Sequence, residues 1–520
     1  MTFDRNTKKV LFLIACAAAV RLILATQVEL GNDEVYYWTY VRYPDLSHFD
    51  HPLMVGLLGQ LCSLNLLIPG ATVLRLGSIL LSAGSTWLIF RIGRNIGNTR
   101  AGLFAALLFT GSLYCSIIGG MFFTPDAPLV FFWLLSLDVL IGALPSQPIT
   151  RSGRIKMLWF GAAAGLAMLS KYQGLFLWVG AVLFILLCRR SWLKEYSLYA
   201  AGLVSCLVLS PLLIWNARHH FVSFLFHAER VAPSVQIHPG YFLMNILGQI
   251  VYNNPIVYVL TIIAAGAFLA KRKFVVPDTA RLLLLTGIPL WVLFTAISLF
   301  RFTLPHWTSP AFIPLIILAG VYWSEKRGSM EKVSFWISTP LYLLSAMVII
   351  ALYLVNYSPL QLGKTADVLE FGTNDYTQDL SGWQEIGTAF KTIADREEKS
   401  GRMPLNSDIV SYRWFPGAHL DYYAAYPLHR NVFLIGPLTD LHEYARINEL
   451  RGGLIPGNDY YHIAVSNYYR DPEALLGRYF EKIEPIDTVE IRRAGTIMRY
   501  AFFYRLKNYN GTFAGPPSDQ

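Results

Sequence analysis

The chain has 520 residues, 54% of them hydrophobic and only 15% charged, with a mean hydropathy of +0.41. That balance excludes a soluble globular enzyme and a disordered scaffold, and leaves a polytopic α-helical membrane protein. The net charge of +9 does not mark a nucleic-acid partner, because it is unevenly held: residues 1–356 carry 26 Lys+Arg against 13 Asp+Glu, and residues 357–520 carry 17 against 21. Nineteen of those 26 basic residues fall in six clusters, at 1–9, 91–100, 151–156, 189–194, 271–281 and 325–332. Short clusters of this kind are what cytoplasmic loops carry.

Val10 to Val28 is long enough to span and has no small-residue cleavage site behind it, so it reads as the first transmembrane helix rather than a removable leader. The polar stretch "GNDEVYYWTYVRYPDLSHFDHPL" (31–53) follows, then apolar runs at 53–68 and 71–90. If every basic cluster is cytoplasmic, an even number of crossings separates each from the next, so one of the three runs between Lys9 and Arg91 does not cross. Leu53 to Ile68 is the shortest and is closed by Pro69 and Gly70, which predicts an outer juxtamembrane or re-entrant helix. The other crossings are expected at 101–118, 127–143, 157–170, 174–188, 197–215, 245–270, 282–300, 309–324 and 334–356. With 10–28 and 71–90 that makes about eleven, an odd number, which puts the tail outside. The stretch 157–188 around "SKYQG" also fits one tilted span, but parity favours a hairpin with Lys171 on the outer side. Cys16, Cys62, Cys115, Cys188 and Cys206 all lie in apolar segments and read as small core residues.

The tail changes character at 357. Helical stretches (Trp383 to Asp395, Leu441 to Leu450, Pro472 to Phe480) alternate with strand-like runs "NVFLIG", "YHIAVS" and "DTVEIRRAGTIMRYAFFYRL", the last predicting a hairpin that turns at "RAG". The expected organisation is a membrane domain over 1–356 and a small extracytoplasmic α/β domain over 357–520. "NGT" at Asn510 fits a glycosylation acceptor, a tripeptide common by chance.

Under this topology the outer loops concentrate titratable groups: Asp33, Glu34, Asp45, Asp50, Asp126 and Glu229, with seven histidines including His51, His227 and His306. Basic residues there are scarce: Arg42, Arg75, Lys171, Arg218, Arg230 and Arg301. Such density at the mouth of an apolar bundle marks a candidate active site or ion path. Plainer accounts exist for each group. Asn32 fits a helix N-cap with Asp33 and Glu34 in the first turn; in such a helix Asp33 shares a face with Tyr37 and Glu34 with Trp38. Tyr36 to Tyr40 also fit an interfacial aromatic belt, Asp126 a cap for the helix at 127, and 218–238 an interfacial amphipathic helix.

Taken in order, "NDEVYYW", "FDHPL", "TPDAPLVFFW", "AMLSKYQG", "WNARHHFVSFLFHAER" and "LPHWTSPAF" resemble the polyprenyl-phosphate-dependent GT-C glycosyltransferases, with the bacterial relatives of protein O-mannosyltransferases and the lipid A aminoarabinose transferases as the most similar branches. The likeness covers most of residues 10–325. It implies Asp33 as the base with Glu34 beside it in donor or acceptor binding, Asp50 and His51 as the acidic and basic pair, and matches for Asp126, Lys171 and His306. Two departures stand out: His51 replaces the lysine of the aminoarabinose branch, and Leu53 replaces a second proline. They lean away from aminoarabinose transfer itself.

The resemblance implies a polyprenyl-phosphate-linked sugar as donor, presented at the outer leaflet of a bacterial inner membrane, and a cell-envelope acceptor that is protein, lipid or glycan. Loss of the sugar leaves a lipid phosphate dianion, so cations are needed where that charge develops. Lys171 is the first candidate, with Arg301, His51 and Arg230 assisting. Asp33 would accept the proton of the attacking hydroxyl, with inversion at the anomeric carbon; Tyr37, Asp50 and His306 are expected to contact substrate. A divalent metal assisting the phosphate has Asp50, His51 and His306 as its candidate ligands. A transporter or lipid flippase is the competing class, and it predicts inverted repeats and helices broken at mid-membrane.

Overall fold

The computed structural model describes residues 4–145, 148–232, 236–326 and 330–513. The chain divides into two compact units, one of Met1–Ala25 with Pro44–Val348, the other of Thr26–Tyr43 with Ile349–Gln520.

The first unit is a helical bundle. In chain order it holds α1 (Arg5–Ala25), then, after α2 (Asn32–Arg42) of the other unit, α3 (Met54–Ser63), α4 (Ala71–Ile96), α5 (Thr99–Gly111), α6 (Asp126–Ala143), α7 (Arg151–Ser170), α8 (Leu175–Cys188), α9 (Tyr196–Val208), α10 (Ser210–Arg218), α11 (Val222–Val231), α12 (Pro239–Tyr252), α13 (Pro255–Leu269), α14 (Pro277–Ile297), α15 (Phe312–Glu325) and the start of α16 (Met330–Asn356). Five helical segments are long and apolar enough to cross a membrane, or seven when the bent pairs α9–α10 and α12–α13 each count as one, among the described residues. α1 has the length, 21 residues, but carries Lys8, Lys9 and Arg21. α3, at ten residues, rises about 15 Å, half of a hydrocarbon core, so it does not cross.

The run expected to cross at 245–270 is two helices bent by 97°. Pro255 has no N–H to continue α12, and Asn254, at φ 68°, turns the chain and accepts the Ile256 N–H on its own Oδ1. Asn254 Nδ2 then ties the corner to the carbonyls of Gly111 and Pro340, at 2.9 and 3.0 Å. Segments at right angles do not share one path through a bilayer, so this stretch is corrected from a single straight helix to a corner. Residues 157–188 form the expected pair, α7 and α8, joined at Lys171 and a 3₁₀ turn, Tyr172–Gly174. All five cysteines are unpaired; Cys115 is buried, whereas Cys16 and Cys206 are exposed on the outside of their helices, not in the core as expected.

The second unit contains a five-stranded sheet: β1 (Ile409–Ser411), β2 (Val432–Leu434), β3 (Tyr460–Val465), β4 (Phe480–Arg493) and β5 (Thr496–Tyr509), in the order β2-β1-β3-β5-β4. β1 pairs parallel with β2 and β3; β3–β5 and β4–β5 are antiparallel. The hairpin turns at Ala494 and Gly495, both with positive φ, as a tight two-residue turn requires. Helices α17 (Trp383–Lys399), α18 (Trp414–Leu420), α19 (Leu438–Leu441), α20 (Tyr444–Leu450) and α21 (Pro472–Leu476) complete it. β1 has no counterpart among the expected strands, because three residues give no periodicity to detect. β4 begins seven residues before the predicted run; its first half, FEKIEPI, breaks its apolar residues with Glu481, Lys482, Glu484 and Pro485 and so carries no clear strand pattern.

α2 belongs to this second unit. Trp38 meets Tyr422 and Tyr426 edge-on at 5.1 and 5.0 Å, and Arg42 pairs with the fully buried Asp421 at 3.1 Å. Tyr36, Tyr37, Trp38 and Tyr40 are all buried, so they are core and not a belt at a membrane interface.

Candidate active site

In the helical unit the site is built where α6 begins and α7 ends. Residues Tyr114–Ile118 form a π-helical turn after α5, which widens the backbone and directs the buried Tyr114 hydroxyl to Asp126, donating to Oδ1 at 2.8 Å. Lys171 Nζ donates to the other oxygen, Oδ2, at 2.8 Å, and both side chains are 5% exposed. Asp126 is the first residue of α6, and Pro125 holds the cap position assigned to it from sequence. Its carboxylate, in place of capping, is spent on Tyr114 and Lys171. Lys171 stands in extended backbone between α7 and the 3₁₀ turn; a Cβ on Gly174 would lie 2.5 Å from the Ala167 and Met168 backbone, so only glycine lets the chain turn back this tightly.

Other titratable groups converge on this ion pair. His306 interacts electrostatically with Lys171, Asp126 and Arg230, and His51 with Asp50, Lys171, His227 and Asp126. The 44–53 loop is closed by a bridge between Ser47 and Pro52, leaving Asp50 8% exposed. α11 lies along it: His227 Nε2 donates to the Asp50 carbonyl at 2.7 Å, and Phe226 meets Phe49 at 4.8 Å. Tyr172 hydrogen-bonds Ser223 at 2.6 Å and meets the His227 ring edge-on. The Arg230 guanidinium covers Trp307 at 4.8 Å, which brings α11 to the segment of His306. Burial drives the His51 imidazole down to about 3 and lowers that of His227, so both are neutral at neutral pH. A neutral His51 adds no positive charge of its own to the site. Arg301, by contrast, is exposed beyond the end of α14.

Among the described residues no three His, Cys, Asp or Glu side chains are placed to hold a metal ion. Asp50, His51 and His306 do not form a ligand set. Asp45 is half-buried and accepts the Trp215 indole N–H at 3.1 Å.

In the sheet unit, the first outer segment is clamped. Glu29 accepts the N–H groups of Trp383 and Gln384, at 2.8 and 3.0 Å, capping α17, and burial raises its carboxyl above the usual range. The N-cap of α2 is Gly31, not Asn32; the Asn32 side chain accepts from His419 Nε2 at 2.7 Å. Glu34, 2% exposed, turns its Oε2 back to the Gly31 N–H at 3.0 Å. Asp33 alone of the acidic pair is exposed. Tyr37, on the same helical face, is 5% exposed, so acid and ring do not project together as expected.

Two residues of this architecture had weak or no sequence signal. Tyr114 is an unremarked tyrosine in an apolar run. Arg21 is a charge inside the first apolar run, the one cue available; it is 3% exposed, and its guanidinium donates to the Ser116 carbonyl and Oγ at 2.8 and 2.9 Å, bracing the π turn that carries Tyr114.

Residues 50–215 match the dolichyl-phosphate-mannose-protein mannosyltransferase family. The chain is 23% identical over 299 residues, 55% of its length, to the lipid A galacturonosyltransferase RgtD of Rhizobium johnstonii, and the match spans 59% of that relative. The solved structures of ArnT from Cupriavidus metallidurans align over nearly the whole chain: the apo form over 96% of this chain and 98% of that one at TM-score 0.63 and 15% identity, and the form bound to undecaprenyl phosphate over 98% and 99% at 0.64 and 16%. The chain thus shares the fold of the ArnT structures, a membrane-type helix bundle with a small C-terminal sheet domain.

Proposed function

We propose that this protein is an integral membrane glycosyltransferase that moves a sugar from a polyprenyl-phosphate donor to a cell-envelope acceptor. The observation that carries the proposal is Lys171: a buried ammonium paired with Asp126, with His306, Arg230 and the neutral His51 in electrostatic reach. Breaking the sugar–phosphate bond delivers a lipid phosphate dianion, and a preorganised cation in a dry site is what stabilises that developing charge. The ArnT structure of the same fold was solved with undecaprenyl phosphate, and the RgtD relative acts on lipid A, which supports a lipid-phosphate donor and an envelope lipid as acceptor.

In this mechanism the acceptor hydroxyl oxygen attacks the anomeric carbon as the bond from that carbon to the phosphate oxygen breaks. The proton passes to Asp33, the electron pair leaves with the lipid phosphate, and the anomeric centre inverts. Base catalysis of this kind contributes roughly 10² to 10⁴ in rate. The proposal includes the odd number of crossings, about eleven, that charge parity predicts, which puts the sheet domain on the periplasmic side of the inner membrane.

The test is incubation of the purified protein in nanodiscs with undecaprenyl-phosphate sugars and lipid A. Release of undecaprenyl phosphate in step with a glycosylated product is expected; movement of the donor across vesicle membranes without product would establish a flippase instead. Asp33→Asn is expected to unfold at the wild-type temperature while transfer falls by about 10² or more. Full turnover in that variant removes Asp33 as the base.

A further inference from the structure

The sheet unit contains a half-open cavity of about 350 Å³ at the C-terminal ends of β1 and β3, a size within the usual range of small-molecule sites. Its lining combines three features. Aromatic rings form the walls, with Phe415 and Tyr468 edge-on at 5.1 Å. Two cations face it, Arg413 and Arg470, and both act electrostatically on the Tyr412 hydroxyl between them. Asn467 lines it as well; this side chain is 6% exposed, and its Oδ1 has no hydrogen-bond partner among the described residues.

An acceptor oxygen buried without a partner is destabilising, and a bound donor relieves that penalty. The charge balance favours an anion. Arg413 has Asp440 at a loose 3.9 Å, Glu370 is already bonded to Lys364 at 2.8 Å, and Arg470 joins no ion pair among the described residues. A neutral sugar would leave the arginines unused, and a bare phosphate would leave the rings and the Asn467 carbonyl unused. Hydroxyl donors, an apolar ring face and one anionic substituent occur together in an acidic or phosphorylated saccharide.

We infer that this cavity is a binding site for a saccharide carrying an anionic group, with a hydroxyl on Asn467 Oδ1, the ring face on Phe415, and the carboxylate or phosphate on Arg413 and Arg470. The site stands on the sheet unit alone and is separate from the donor chemistry assigned to Lys171. In the full-length protein in nanodiscs without donor lipid, saturation-transfer NMR titrations with glucuronic acid, glucose 1-phosphate and glucose test it. Both anionic sugars are expected to bind about tenfold or more tightly than glucose, and the stronger of the two identifies the carboxylate or the phosphate as the preferred group. Arg470→Glu, at an exposed position, is expected to erase that preference at an unchanged unfolding temperature, and Asn467→Ala to weaken all three sugars. Equal binding of the three sugars, no binding of any, or wild-type affinities in both Arg470→Glu and Asn467→Ala overturns the assignment.

Discussion

Replacing Lys171 by methionine separates the structural role of the buried pair from its catalytic one. The variant fills nearly the same volume but leaves Asp126 Oδ2 without its 2.8 Å partner in a site where both side chains are 5% exposed; Oδ1 keeps the Tyr114 hydroxyl. Removing one member of a buried ion pair typically costs about 3–5 kcal/mol, because the other charge stays buried and uncompensated. The remaining Tyr114 bond, and protonation of the carboxyl, hold the loss toward the lower end. Adding Asp126→Asn removes the stranded charge while keeping an oxygen for Tyr114, so the double variant should recover most of the lost stability, a coupling of about 2 kcal/mol. Turnover should not recover: without the ammonium the leaving phosphate loses a preorganised donor, worth roughly 10² to 10³ in rate. The assay is thermal unfolding of the detergent-solubilised protein alongside release of undecaprenyl phosphate. Lys171→Met as stable as wild type would refute the pairing, and a double variant with near wild-type turnover would refute the phosphate role of Lys171.

Three further outcomes are expected. Glu34→Gln should keep the bond to the Gly31 N–H and retain transfer, whereas Glu34→Ala should lose about 1 kcal/mol; an inactive, fully folded Glu34→Gln would show that the charge, not the cap, is needed. His51, at about 3 in the folded protein against an ordinary 6.5, binds a proton later than it does in the unfolded chain, so its contribution to stability is full above pH 6.5 and is lost as pH falls toward 3. At pH 5 that loss is about 2 kcal/mol, and His51→Gln should be less destabilised between pH 7 and pH 5 than wild type by that amount; parallel losses by calorimetry would contradict it. Arg21→Met should lower turnover together with the unfolding temperature, since Ser116 and the π turn lose their brace; wild-type values of both would detach Arg21 from the Tyr114–Asp126 link.

Much of the helical unit was legible because its driving force is local in sequence. A bilayer core demands long apolar segments, and each shows in hydropathy; basic clusters then order them by parity, which predicts that Leu53 to Ile68 does not cross, in keeping with the ten residues of α3. The acid-rich outer loops were legible for a similar reason, as charges in an apolar chain stand out. Asp126, Lys171, His51 and His306 were all named from sequence, and the fold brings them into one electrostatic cluster.

What the chain's order of residues determined, then, was the class of protein, the helix break at Lys171 and the short list of titratable side chains, because composition and hydropathy act residue by residue. Tertiary structure alone decided how each was used. Asp126 neutralises Lys171 instead of capping its helix, Glu34 caps while Asp33 stays exposed, and Tyr36 to Tyr40 are core. It also recruited Tyr114 and Arg21 through a π turn and left Asn467 facing a cavity. The physical reason is that a carboxylate's charge state and partner depend on what is packed within a few ångströms of it, and the neighbours of Asp126 come from segments 12 and 45 residues away that only folding brings together.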